Sequence, residues 1–497
     1  MLFSRSLMVM MAAALLAAGQ TADQPRRAVT DPGVVTTRQT ITPAGVPAVF
    51  DGRVYGVAFG ANAEELWVLN QRGLYRFDWR KNRVLDRVQP APRRAGLQGV
   101  AFDGVTGRAL YTGTTNDRDV WVSAVEAGKP VELRTKVGKH LSGAPAIAPR
   151  ANAKGERLAV VPLVHDNLLA VIDLNAATGV TTVATGIAPF GAVVNDTGET
   201  AWVSNWGGRV ARAGDRTAPT GLLPGADRVV VDERGIAATG TVTRIDLLTR
   251  KATATVETGL HPTALAWDQG RHRLFVANNN ADSITVIDTA AAKVVNTWKI
   301  EPFEEKAPGL APSALALTPD GGRLLVALGG INAVAVLDAA TGRVEGMIPT
   351  GWYPNALALS ADGTKLSVGS LLGAGSGWRD QPNQRFVHSM REMDAVVREG
   401  CWDQRWQTRL GDLTGAKVGL IGFGRIARAC ARICGAGFGA EVSAFDPLVS
   451  AEDMAAAGVR KVDFAGLLAS DVISIHVPLT PDTRNLIGMA ELAQMHE

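Results

Sequence analysis

The sequence predicts two unlike domains in series: an all-β propeller of seven blades, the last of them incomplete, and after it a short α/β segment. Three observations predict this. A β-patterned unit recurs through the first 375 residues, a glycine-rich turn joins an apolar strand to a helix near residue 422, and every cysteine falls in the last hundred residues.

Length and composition set the frame. A chain of 497 residues holds two or three domains, each able to bury its own core. Hydrophobic residues make up 46% and charged residues 20%, as in an ordinary globular protein. The formal net charge of +3 is small and dispersed, which argues against nucleic acid as a partner.

The N-terminus has its own pattern. Arg5 gives a short basic start, Leu7 to Ala18 is an apolar, Ala-rich run, and Ala17-Ala18-Gly19 supplies small residues before polar Gln20 to Asp23. This is the layout of a secretory signal peptide over residues 1–19, cleaved after Gly19, so the chain is expected to be exported to the periplasm or the exterior. The run is too short to span a bilayer comfortably, and no later stretch reaches spanning length. Residues 1–400 contain no cysteine, which suits an exported domain whose core is large enough to need no disulfide.

The repeat decides the larger domain. Its unit opens on Gly-x-x-Pro and continues as strand, turn, strand, polar turn and a third strand ending in Asp. Openings occur at Gly186–Pro189, Gly259–Pro262, Gly309–Pro312 and Gly351–Pro354, and more loosely at Gly52, Gly96 and Gly143. Most are 42 to 50 residues apart; the longer interval from Gly186 to Gly259 carries an inserted loop. Within a unit, Thr263–Trp267 and Arg273–Ala277 are apolar runs separated by a turn, and Ser283–Asp288 alternates polar with apolar, the period of a strand. Ser313–Leu317, Arg323–Ala327 and Ala333–Asp338 repeat the pattern. Three to four short strands in such a unit make a propeller blade. Seven openings give seven blades, with the extended segment Val34–Ile41 a candidate to complete the last. Beyond Ser370 no further blade strands are recognisable, which would leave an unpaired edge.

Leu274-Phe275-Val276-Ala277-Asn278 with Ile284–Asp288 resembles the YVTN repeat of lactonase-like β-propellers. Val203–Arg209, Gly235–Gly240 and Thr350–Asn355 are similar to an exported subgroup in which the propeller precedes a phosphoesterase domain. The resemblance covers residues 30–375. It implies lactonase action only by analogy, because the seven histidines form no HxH or HxxxH pair. The pairs inside the openings, Ile187-Ala188, Leu260-His261 and Trp352-Tyr353, are expected near one face of the channel. They either bind an unknown small molecule or peptide there or serve in blade packing, and packing is the favoured reading.

Around residues 376–410 the blade pattern gives way to a junction with helical character from Met390 to Arg409. Next comes the apolar strand Ala416–Ile421, which runs into Gly422-Phe423-Gly424-Arg425-Ile426-Ala427 and an Ala/Arg-rich helix, Ile426–Ala436. A second strand, Glu441–Phe445, ends in Asp446, 22 residues beyond Gly424. This is a Rossmann-type dinucleotide fingerprint over a segment of 411–497. Gly422 permits the tight turn, Gly424 lets backbone approach a diphosphate, and Ala427 keeps the helix close to the strand. The helix N-terminus offers N–H groups to the anion. Asp446 would accept from the ribose hydroxyls and repel a 2′-phosphate, which favours NAD over NADP. Cys430 and Cys434, four apart on the helix, read as packing residues, and no metal site is expected.

The longer run Leu413–Ile426, with Phe445-Asp446-Pro447, Leu467–Thr480 and Thr483–Gly488, resembles the D-isomer-specific 2-hydroxyacid dehydrogenases, from Met390 to Met495. By that resemblance Arg425 and Ile426 meet the diphosphate, and Val477 and Pro478 lie beside the cofactor. The family's catalytic Arg, Glu and His have no counterpart in the sequence, and His476 matches a cofactor-side strand end. The expectation is therefore a truncated NAD-binding segment fused behind an exported propeller, without complete dehydrogenase activity. The alternative is an exported binding module or lactonase-like propeller with a non-functional appendage. Parts missing on both sides of the joint, and a secreted half joined to one whose cofactor pool is cytosolic, point to two coding fragments joined by accident.

Overall fold

The computed structural model describes residues 24–27, 43–88, 94–115, 117–126, 129–176, 179–220, 227–303, 309–373, 415–478, 480, 483 and 486–495. The signal-peptide region, the strand candidate Val34–Ile41, the helical stretch Met390–Arg409 and Cys401 lie outside the described residues. The chain divides into two compact units, Met1–Thr30 with Ile41–Ser376, and Asp31–Thr40 with Gly377–Glu497.

In the first unit the repeats fold as six four-stranded antiparallel sheets and a seventh of two strands. The six run from Val54–Phe59 to Arg83–Arg87, Arg94–Asp103 to Lys129–Lys139, Ala146–Ile147 to Val180–Ala184, Ile187–Val194 to Lys251–Thr258, Pro262–Asp268 to Lys293–Lys299, and Pro312–Leu317 to Val344–Pro349. The seventh pairs Pro354–Leu359 with Leu366–Ser370. We number these blades 1 to 7. The inserted loop forms its own hairpin, Thr217–Pro219 with Arg228–Val230, between the second and third strands of blade 4.

The repeat residues have identifiable tasks. Asn278 ends the second strand of blade 5, is fully buried, and donates through Nδ2 to Ser283 Oγ at 3.1 Å and Thr285 Oγ1 at 2.9 Å. Asn205 does the same in blade 4, donating to Thr241 Oγ1 and Thr243 Oγ1, both at 3.0 Å. These carboxamides explain the opening glycine: a Cβ on Gly259 would lie 2.6 Å from the Asn278 carboxamide carbon. In blades 1, 3, 4, 5 and 6 the third strand ends in an aspartate that closes the next turn. Asp288 Oδ1 accepts from the N–H groups of Ala290 and Ala291, and Asp338 Oδ1 from those of Ala340 and Thr341.

Adjacent blades share apolar cores. Phe275 and Trp298 of blade 5 pack with Leu324 and Val326 of blade 6, and Leu110 and Val122 of blade 2 with Val161 and Ala170 of blade 3. Inner strands are also stitched to their neighbours by side chains. Thr263 Oγ1 donates to Pro312 O at 3.0 Å, Ser313 Oγ to Pro354 O at 2.6 Å, and Asn355 Nδ2 to Tyr55 O at 3.2 Å. The last of these joins blade 7 to blade 1, and Pro354–Leu359 packs on Val54–Phe59. Gln98 of blade 2 also reaches Ser313 O at 2.9 Å and Asn355 O, so one carboxamide ties blades 2, 6 and 7 together. The ring thus closes through its inner strands although the described residues include only two strands of blade 7.

The second unit is a parallel sheet in the order Arg460–Lys461, Glu441–Phe445, Lys417–Ile421, Val472–Ile475. Val418, Leu420, Ala427, Ala431, Val442, Ala444 and Met454 form its core. The helix runs Arg425–Arg432 and then widens into a π-turn, Ile433–Gly437, shorter in α-form than the sequence predicts. The strand order reverses beside Lys417–Ile421, which places the glycine turn at a topological switch point.

Candidate functional site

The glycine turn lies at the carboxyl ends of the two central strands. Gly422 has φ +88°, its N–H donates to Phe445 O at 2.8 Å, and a Cβ there would lie 2.7 Å from Val477 Cγ1. Glycine is therefore demanded twice, by a left-handed backbone and by the neighbouring strand end. His476 N–H donates to Ile421 O at 2.7 Å, holding that strand end against the turn.

Gly424 differs. Its backbone is extended, at φ −77° and ψ −166°, and a Cβ on it would meet nothing within 4 Å. It is the N-cap of the helix, offers no side-chain cap, and no acidic residue stands in the first turn. The first N–H groups of a helix have no intrahelical partner, so they face the open space before Gly424. Arg425 and Ile426 are exposed there, Ile426 at 71%. This is a cradle for an anionic group.

Asp446 closes the other side. Its Oδ2 accepts the Phe423 N–H at 2.7 Å and its Oδ1 the Leu448 N–H at 2.8 Å, so the carboxylate is fixed by backbone on both oxygens. The Phe423 ring is buried, and the Arg428 guanidinium lies 4.5 Å above it. Pro478 is exposed beyond Val477, its carbonyl accepting from Thr483 Oγ1. The seven residues singled out from sequence, Gly422, Gly424, Arg425, Ile426, Asp446, Val477 and Pro478, thus fall at the strand ends and first helical turn of this one small sheet. Sequence reasoning missed the direct bond from Asp446 to the turn and the Arg428–Phe423 stack. The Asp-after-strand spacing hinted at the first, and no pattern announced the second.

In the propeller, each of the three opening pairs contacts the preceding blade. His261 stacks on Trp206 at a ring separation of 4.8 Å, and Trp206 on Phe190 at 4.2 Å. Burial pushes the His261 imidazole below its ordinary pKa. The Tyr353 N–H donates to Asn332 Oδ1 at 3.0 Å and its ring lies over Gly329, and the Trp352 backbone N–H donates to Gly373 O. Ala188 N–H donates to Asn167 Oδ1.

Residues 385–497 match the family described as D-isomer specific 2-hydroxyacid dehydrogenase, NAD binding domain. Over 107 residues the chain is 40% identical to a D-3-phosphoglycerate dehydrogenase of Archaeoglobus fulgidus, covering 21% of this chain and 20% of that protein. It is 40% identical over 116 residues to a D-lactate dehydrogenase of Treponema pallidum, covering 23% and 34%. A glyoxylate reductase of Korarchaeum cryptofilum matches at 39% over 108 residues, covering 21% and 32%. The chain therefore spans about a fifth to a third of the length of these curated relatives. A chain of the Kuenenia stuttgartiensis hydrazine synthase structure superposes with TM-score 0.49 at 14% identity, covering 68% of this chain and 95% of that one. The family match and the cradle agree on NAD as the cofactor of the second unit.

Proposed function

We propose that the second unit binds NAD as the cofactor-holding part of a 2-hydroxyacid oxidoreductase, carried behind an exported propeller, and does so without complete dehydrogenase activity. The observation that carries this reading is the open space before Gly424 at an uncapped helix N-terminus, bordered by a fixed Asp446 carboxylate. The first-turn N–H groups with Arg425 and Ile426 would receive the diphosphate, Asp446 the adenosine ribose, and Val477 and Pro478 would border the rest. Bound NAD supplies a hydride acceptor for a 2-hydroxy acid. The matched residues that this reading uses are those of the cofactor cradle, so it is confined to binding. Export rests on the tripartite N-terminal pattern, and a reporter fused after Gly19 tests it.

Fluorescence titration of the full chain with NADH and NADPH tests the reading. NADH binds, and NADPH binds at least about tenfold more weakly, because the Asp446 carboxylate repels a 2′-phosphate. Equal or absent binding of both would refute it. Turnover of NADH with pyruvate or glyoxylate would refute the restriction to binding.

A further inference from the structure

The propeller carries a second feature, unconnected with the dinucleotide cradle. Its loop face holds two exposed histidines on neighbouring connections, His140 after the last strand of blade 2 and His165 between the second and third strands of blade 3. Their ring centroids are 5.9 Å apart and the planes stand at 84°. Two imidazoles on a tetrahedral metal, with metal–nitrogen distances of about 2.0–2.1 Å, have centroids roughly 5 Å apart, so a small closing movement suffices.

The pair is held by the backbone around it. Asp166, next to His165, accepts the N–H of Lys139, next to His140, at 2.9 Å. The Val164 N–H donates to Leu141 O at 3.0 Å, and the His140 N–H to Arg118 O at 2.6 Å. His140 itself has φ +69°, a conformation costly for a residue with a Cβ and often kept where a side chain must be aimed. Burial first, and then the neighbouring His140, lower the pKa of His165, while Asp166 and Asp227 pull the other way. Among the described residues no group of three or more His, Cys, Asp or Glu could hold a metal, so the pair would supply two ligands and water the others. Asp227, on the inserted hairpin of blade 4, has an electrostatic influence on His165 and no hydrogen bond or ion pair through its carboxylate among the described residues.

We propose that His140 and His165 chelate one borderline divalent cation of the zinc, nickel or copper class on the loop face of the propeller. Imidazole pairs select such ions over magnesium, whose preferred ligands are oxygens.

Isothermal titration of the full chain with ZnCl₂, NiCl₂ and MgCl₂ tests this, comparing wild type with His140→Ala, His165→Ala and, as a control on a separate exposed turn, His272→Ala. The expected result is one equivalent of zinc or nickel that either loop-face substitution weakens by about tenfold or more. His272→Ala should titrate as wild type, with no magnesium heat. Zinc should also raise the unfolding temperature of wild type and not of the two variants, which keeps the test independent of residual sites elsewhere. Identical zinc and nickel isotherms in wild type and both loop-face variants would overturn the proposal, as would magnesium binding with equal affinity.

Discussion

Alanine at Gly424 and alanine at Gly422 should have opposite consequences, although the two glycines stand two residues apart in one motif. At Gly424 the backbone is extended and a methyl group meets nothing within 4 Å. Replacing an N-cap glycine by alanine costs up to about 1 kcal/mol, and the stiffer unfolded chain returns about 0.4–1 kcal/mol. The second unit should therefore unfold within a few degrees of wild type. The added methyl nevertheless stands in the space a diphosphate must enter. Losing one or two charge-assisted hydrogen bonds, each about 1.5–3 kcal/mol, weakens binding by roughly tenfold to more than a hundredfold. At Gly422 the residue is left-handed at φ +88°, which costs about 1–2 kcal/mol for a side chain. The contacts at 2.7 Å to Val477 Cγ1 and 3.0 Å to His476 O add overpacking of about 1–3 kcal/mol. A loss of roughly 2–5 kcal/mol lowers the melting temperature of a unit this size by about 10 °C or more. Scanning calorimetry of the full chain, with separate transitions for the two units, and NADH titration read both effects. If Gly424→Ala binds NADH like wild type, the diphosphate does not sit in this cradle; if Gly422→Ala melts with wild type, the strain argument is wrong.

Two further predictions concern the propeller. Asp103 and Arg157 form a buried bidentate ion pair joining blades 2 and 3, with Arg157 Nη1 to Asp103 Oδ1 at 2.8 Å. Burial alone would raise the Asp103 pKa, but Arg157, Thr106 Oγ1 and the Val105 N–H hold it down to about 2. A depressed carboxylate stabilises the fold above its unfolded pKa near 4, so about 2 kcal/mol should be lost between roughly pH 4 and pH 2. Arg157→Ala should remove about 3–5 kcal/mol at neutral pH by stranding the carboxylate; denaturant titration reads both, and a variant equal to wild type at pH 7 would refute the pairing. Gln98→Ala cuts the carboxamide bonds to Ser313 O and Asn355 O. It should cost about 1–3 kcal/mol and increase hydrogen exchange in Pro354–Leu359 first; unchanged exchange there would show that ring closure does not depend on it.

Much of this was legible in the sequence because it is local. Strand alternation, the Gly-x-x-Pro openings and the Asp-closed turns recur from blade to blade, in most though not all of them, and each is satisfied by atoms a few residues away, as at Asp288 and Asn278. The nucleotide turn was legible for the same reason: Gly422 needs a positive φ wherever it stands. The expected helix, Ile426–Ala436, lies within the helical run Arg425–Gly437, and nothing local marks its change from α- to π-form at Ile433. The seventh blade was expected to be unfinished, and two strands are what the described residues contain.

Long-range partners were another matter. Gln98 finds Ser313 and Asn355 more than two hundred residues away, Asn355 finds Tyr55, and Arg157 finds Asp103. Each of these depends on how the blades are rotated around the ring. His140 and His165, 25 residues apart, likewise become neighbours only when two loops are brought side by side. Sequence therefore determined the elements, since backbone sterics and side-chain periodicity act over a few residues. Only the tertiary structure decided how the ring closes, which buried charges pair, and where imidazoles converge, because those energies depend on distance in space and not along the chain.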